Sequence, residues 1–255
     1  MSNEDIRDND EQSIEQQAPT YRIGVILSGD ILDETGFLKI ISGCDFLVCA
    51  DGGVRHLRPY GILPDLLTGD LDSIKSDDRR WIEQAQIPVN QYSPEKDFTD
   101  SELAVDSALR LLETELVEQG LSRPANRSIS ICLLAATGSR PDHVLGNQLM
   151  AANLARSQFE VMLSDGSSWF YLMNGPESRV YDSSAYPEDC AVSVIALSEQ
   201  VRGITYKGLK YPLDNYDLPF GSQRGISNSI DCRNAGQFEI SISSGTLRVI
   251  ITKAD

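Results

Sequence analysis

Histidine is nearly missing from this chain. Its 255 residues hold only His56 and His143, which excludes a multi-histidine metal centre. Positive charge is also scarce: 22 Lys plus Arg stand against 38 Asp plus Glu, a formal net charge of −16. Such a surface repels phosphate backbones, which argues against general nucleic-acid binding and rules out a basic membrane-surface role. A polyphosphate substrate would need a cation to neutralise it. No apolar run approaches 18 residues, so no membrane-spanning helix is expected. Five cysteines (Cys44, Cys49, Cys132, Cys190 and Cys232) are scattered, odd in number and form no C-x-x-C. They read as buried free thiols in a reducing cytoplasm, which makes the Asn126-Arg127-Ser128 sequon a chance match. The phosphate-binding G-x-x-x-x-G-K-[ST], the dinucleotide-binding G-x-G-x-x-G and the kinase catalytic loop are all absent.

The bulk composition is ordinary for a folded protein, with 41% hydrophobic and 24% charged residues. Residues 1–20 are the exception. They carry six acids, one base and few apolar side chains, and read as a disordered acidic tail without the features of a signal peptide.

Beyond the tail, two textures follow one another. Apolar runs at 22–28, 45–51, 66–70, 87–92 and 129–137 read as buried strands of a parallel sheet. Helical patterns lie between them. The clearest is 100–118, where Thr99 and Glu102 form a capping box. From about residue 165 the chain turns to short strands at 169–173, 178–182, 191–197, 203–208, 236–243 and 246–252, with turn signals between. The expected architecture is an N-terminal parallel-sheet α/β sandwich domain over 21–166, followed by a small antiparallel β-sandwich domain over 167–255.

Aspartate recurs where those strands end. Ala50-Asp51-Gly52-Gly53 follows an apolar run, and its glycines let backbone N–H groups approach an anion closely. The plain alternative is a turn. In Thr68-Gly69-Asp70-Leu71-Asp72-Ser73 two carboxylates stand two residues apart, so an extended backbone puts them on one face, where Mg²⁺ is a fitting guest. The plain alternative there is capping of the helix that follows. Lys96-Asp97-Phe98-Thr99-Asp100 offers a point charge for phosphate and two more carboxylates; the helix dipole alone explains Asp100. Gly138-Ser139-Arg140-Pro141-Asp142-His143 offers a guanidinium fork, with Asp142 as ligand or N-cap. Like charges 4 Å apart repel by about 4 kcal/mol at an effective dielectric of 20. Carboxylates gathered at one sheet edge therefore call for a divalent cation.

Taken together, ADGG (50–53), PDLLTGDLDS (64–73), KDFTDSELA (96–104), GSRPDH with Asn147 (138–147), GLKYPL (208–213) and RGISN (224–228) resemble the thiamine pyrophosphokinase family of the bacterial kind. The resemblance spans residues 21–252. It implies Mg²⁺-dependent transfer of the pyrophosphoryl group of ATP to the hydroxyl of thiamine in a homodimer whose sites are shared between subunits. Carried onto this chain, it implies Asp70, Asp72, Asp97 and Asp100 as catalytic residues, the first three as metal ligands. It implies Asp51, Gly52, Lys96, Arg140 and Asp142 around the nucleotide. Ser227 and Asn228 match positions that meet thiamine, and Tyr211 within GLKYPL is the best stacking candidate, ahead of Trp81, Trp169 and Tyr206. Two stretches depart from the family pattern: Ser28-Gly29-Asp30 and Gly138-Ser139 stand where glycine pairs are usual. A metal-dependent phosphohydrolase and a non-catalytic thiamine or nucleotide sensor are the alternatives. Release of inorganic phosphate without thiamine would mark the first, and binding without turnover the second.

Overall fold

The computed structural model describes residues 21–93, 95, 97–231 and 236–254. The tail at 1–20, Lys96 and Cys232 lie outside the described residues. Six strands form a parallel array: β1 (Tyr21–Ile26), β2 (Phe46–Ala50), β3 (Leu66–Gly69), β4 (Val89–Gln91), β5 (Ile129–Leu134) and β6 (Glu160–Ser164). All six residues of β5 are buried, as expected of a strand covered on both faces. Helices α1 (Glu34–Ile41) and α2 (Ser76–Ala85) cover one face through Phe37, Ile41 and Ile82. Helices α3 (Asp100–Glu118) and α4 (Pro141–Arg156) cover the other through Ala104, Leu112 and Ala151.

The capping box of α3 forms as expected. The Thr99 side chain accepts from the Glu102 N–H, and the Glu102 carboxylate accepts from the Thr99 N–H at 2.8 Å. A cap of this kind contributes about 1 kcal/mol. It also fixes where Asp100 enters the helix. The capping reading fails elsewhere. The residue before α2 is Lys75, with no side-chain cap, so Asp70 and Asp72 do not serve that helix. Arg140 precedes α4 and Asp142 lies inside its first turn, so Asp142 is not the N-cap.

In the second half, β7 (Trp169–Asn174), β14 (Thr246–Lys253), β9 (Cys190–Ala196) and β12 (Asn228–Ser229) pair antiparallel and continue the parallel array from β6. The result is one ten-stranded sheet in the order β12-β9-β14-β7-β6-β5-β1-β2-β3-β4. Four further strands, β8 (Glu177–Asp182), β10 (Gln200–Lys207), β11 (Tyr216–Pro219) and β13 (Gln237–Ile242), make a second antiparallel sheet. Val192, Val194, Val249, Ile204, Phe238 and Ile240 fill the space between the two sheets. The boundary expected near 165–168 falls in the tight β6–β7 connection, where Asp165 accepts from the N–H groups of Ser167 and Ser168.

Along the parallel array the strand order reverses between β1 and β5. In doubly wound sheets such a switch point opens a crevice beyond the carboxyl ends of the strands. The loops after β1 and β5 are laced together there. Gly29 N–H donates to Ala135 O at 2.8 Å, and Asp30 N–H to Thr137 O at 2.7 Å. Arg55 holds the same rim, donating to Ser28 O at 2.7 Å and Gly29 O at 2.8 Å.

Candidate active site

Two neighbouring strand ends bring three carboxylates together. Asp51 follows β2, Asp70 and Asp72 follow β3, and one oxygen of each lies within 4.8 Å of the others. The backbone makes this possible in a specific way. Leu71 adopts a φ of 67°, and the Asp72 N–H donates back to Asp70 Oδ1 at 3.1 Å. That Asx turn folds the D-x-D stretch toward Asp51. Asp51 itself has a φ of 41° and is only 5% exposed. The Ser73 hydroxyl donates to one of its oxygens, while Asp51 Oδ1 is buried without a hydrogen-bond partner.

A buried carboxylate among like charges resists ionisation. Burial pushes the Asp51 carboxyl up to about 6, and the charges of Asp100, Asp70 and Asp72 add to the effect. Asp100 therefore faces the same group from the N-terminus of α3. An orphaned buried oxygen, three carboxylates and a local excess of negative charge make an all-oxygen donor set. It suits a hard divalent cation that keeps several waters.

The remaining expected residues divide. Gly52 is buried against the site; a β-carbon there would meet Ser73 Oγ at 3.2 Å and Ser28 Oγ at 3.4 Å. Asp97 is exposed and lies outside the three-carboxylate group. Arg140 and Asp142 are both exposed and grip each other, with Arg140 Nη2 to Asp142 Oδ2 at 2.7 Å. That guanidinium holds the Asp142 carboxyl well below the usual carboxylate range. Ser73 and Arg55 were not singled out from sequence. The Asp-Ser pair at 72–73 is the signal that could have found the first.

A cavity of about 340 Å³ opens at the far end of the ten-stranded sheet, lined by Tyr206, Tyr211, Leu213, Arg224, Ser227 and Asn228. Asn228 is buried and clamps the Tyr211 backbone: it accepts from Tyr211 N–H at 3.0 Å and donates to Tyr211 O at 2.7 Å. Tyr211 stays 59% exposed. The Tyr206 hydroxyl is buried without a partner, and Arg224 lies 4.8 Å over the Tyr216 ring. Of the other aromatic candidates, Trp169 packs edge-on against Tyr186 and Trp81 packs against the core under α2.

An acidic trio beyond the carboxyl ends of two parallel strands of a doubly wound sheet, with a cavity on the β unit, is what an enzyme handling phosphoryl groups would present. Known proteins agree. Residues 37–163 match the family model "Thiamin pyrophosphokinase, catalytic domain", and residues 181–247 match "Thiamin pyrophosphokinase, vitamin B1 binding domain". Thiamine pyrophosphokinase of Bacillus subtilis is 31% identical over 180 residues, covering 71% of this chain and 76% of that protein. The crystal structure of a Bacillus subtilis thiamine pyrophosphokinase superposes with a TM-score of 0.73 at 27% identity, covering 92% of this chain and 100% of that one. The Geobacillus thermodenitrificans structure gives 0.71 at 30% identity, covering 92% and 98%. The chain belongs to the thiamin pyrophosphokinase family, and its reaction is transfer of the pyrophosphoryl group of ATP to the hydroxyl of thiamine, giving thiamine diphosphate and AMP. Among the described residues no helix is long and apolar enough to cross a membrane.

Proposed function

We propose that this reaction depends on Mg²⁺ held by Asp70, Asp72 and Asp51, and the convergence of these three carboxylates carries the reading. Asp51 takes the place in that group that the family resemblance gives to Asp97. When bound, the cation neutralises phosphate charge and acts as a Lewis acid on the transferring group. The protein's own part is placement. The laced loops at 28–30 and 137–140 cradle the triphosphate at the switch point, with Gly52 giving close backbone approach. Arg140 turns from Asp142 to the phosphates, and Lys96 adds a point charge. The thiamine hydroxyl attacks the β-phosphorus in line, AMP leaves, and Asp100 accepts the hydroxyl proton. In-line positioning supplies most of the acceleration, because phosphoryl transfer asks little covalent chemistry of the protein.

Thiamine occupies the cavity at Tyr206, Tyr211, Ser227 and Asn228, and each site is completed by a second copy of the chain. Strand arithmetic supports the homodimer. Asn228 lies on β12 and Asp51 follows β2, seven places apart in the sheet order. At about 4.8 Å per strand that is on the order of 30 Å. No thiamine hydroxyl spans that gap, so the two halves of a working site come from different chains. We take 21–166 as the catalytic domain and 167–255 as the thiamine-binding domain, in line with the two family matches, and we place the protein in the cytoplasm on its free thiols.

The test is incubation with ATP and thiamine, with Mg²⁺ or with a chelator, followed by product identification. Stoichiometric AMP and thiamine diphosphate, abolished by the chelator, are expected. Inorganic phosphate released without thiamine would overturn the reading.

A further inference from the structure

Arg224 stands at the rim of the 340 Å³ cavity without a counter-ion. It is exposed, lines the cavity beside Ser227 and Asn228, and lies 4.8 Å over the Tyr216 ring. Among the described residues it has no carboxylate partner, whereas Arg58, Arg110, Arg123, Arg140 and Arg179 each hold one. The loop that carries it is pinned to β9. A β-carbon on Gly225 would lie 2.6 Å from Val194 O, the Val194 N–H donates to Gly225 O at 2.8 Å, and the Ser227 N–H donates to Ser193 Oγ at 3.0 Å. The Tyr216 face then keeps the guanidinium at the rim. Thiamine carries a permanent positive charge, so a guanidinium there repels its ring. The same guanidinium presents a fixed fork of donors that matches phosphate oxygens. The anion that must meet thiamine is the pyrophosphoryl group, at the hydroxyl. One divalent cation does not offset both a triphosphate and the carboxylates of Asp51, Asp70 and Asp72, so further positive charge is needed where the group is transferred.

We propose, resting on the transferase reading and the shared site, that Arg224 is a catalytic residue acting across the dimer. Its guanidinium reaches from the rim of one chain's thiamine cavity to the pyrophosphoryl group held at the other chain's acidic trio. In the transfer, the thiamine oxygen bonds to the β-phosphorus. The bond from that phosphorus to the oxygen bridging it to the α-phosphorus breaks, and that oxygen leaves on AMP with the electron pair. The hydroxyl proton passes to Asp100. Arg224 stays protonated throughout. It donates N–H bonds to the non-bridging oxygens of the group in flight, and keeps them to the diphosphate of the product.

Arg224→Ala and Arg224→Lys in the full-length chain test this. Both should melt within a few degrees of the parent, because the side chain is exposed. Arg224→Ala should lower kcat by about a hundredfold or more, the usual loss for one preorganised donor. Calorimetry should find its Kd for thiamine unchanged and its Kd for thiamine diphosphate, titrated with Mg²⁺, raised by about tenfold or more. Arg224→Lys keeps the charge but not the fork, and should fall between. Arg224→Ala subunits exchanged with Asp72→Ala subunits should regain about a quarter of parental turnover when half the dimers are hybrid. Parental kcat in Arg224→Ala, or an equal loss of affinity for thiamine and thiamine diphosphate, would overturn the proposal. So would hybrids, verified by mass, that recover nothing. A parent chain that makes no AMP from ATP and thiamine would instead fail the transferase reading, which keeps the two failures apart.

Discussion

Gly69 stands against Asp51: a β-carbon built on Gly69 would lie 3.0 Å from Asp51 Cβ and 3.2 Å from its Cα. Its φ of 148° is one that side chains rarely adopt. This contact seats the end of β3 on the end of β2, and so brings the D-x-D pair to Asp51. Gly69→Ala is expected to lower kcat at least tenfold while the far-UV circular dichroism stays unchanged, since a 1 Å displacement at a reacting centre costs that much or more. Unchanged kinetics would mean the close approach does not position the carboxylates.

The Asp51 carboxyl titrates near 6 in the folded chain, against an ordinary value of 3.8. A raised acid stabilises the fold below its unfolded value, and that contribution is lost as pH rises through the folded one. Without a cation, Asp51 therefore weakens the fold at pH 7.5 by on the order of 2 kcal/mol. Two results follow. Asp51→Asn should melt about 4–8 °C higher than the parent at pH 7.5, with little difference at pH 4. Added Mg²⁺ should raise the parent's melting temperature more at pH 7.5 than at pH 5. Differential scanning calorimetry with and without a chelator measures both.

Much of this was legible beforehand. The apolar runs that became β1, β2, β3 and β5, the Thr99–Glu102 box and the placing of Asp51, Asp70 and Asp72 at strand ends follow from local pattern, because alternation, capping and strand-end turns are local physics. The joining of β7, β9, β12 and β14 to the parallel array was not, because a strand's sequence shows which face is apolar but not whose edge it pairs with. Nor does spacing separate Asp97 from the acidic group. Asp97 and Asp100 are three residues apart, yet the cap at Thr99 leaves one exposed on the approach and the other half-buried beside Asp51.

Asn228 is a clamp on the Tyr211 backbone, using both ends of its amide. Asn228→Ala removes both hydrogen bonds to the Tyr211 backbone, worth about 1 kcal/mol each. The KM for thiamine should rise roughly tenfold or more, with the KM for ATP unchanged. An equal rise in both would contradict a thiamine site in that cavity.

If sites are shared between copies, two crippled chains can repair one another. Asp72→Ala and Asn228→Ala subunits, mixed, allowed to exchange and assayed at thiamine well below the parent's KM, where both homodimers are impaired, yield hybrids with one intact site and one doubly damaged site. With half the dimers hybrid and one good site in each, activity should return to about a quarter of the parent. No recovery in hybrids verified by mass would place both halves of the site in one chain.

The central claim is that the gathered carboxylates do their work by holding a divalent cation. The most direct measurement is AMP formation by Asp72→Asn under saturating Mg²⁺, ATP and thiamine, alongside the parent. An isosteric change that removes one charge and one anionic ligand should cut kcat by at least a hundredfold while leaving the melting temperature within a few degrees. Parental turnover in Asp72→Asn, with its usual dependence on Mg²⁺, would contradict the account.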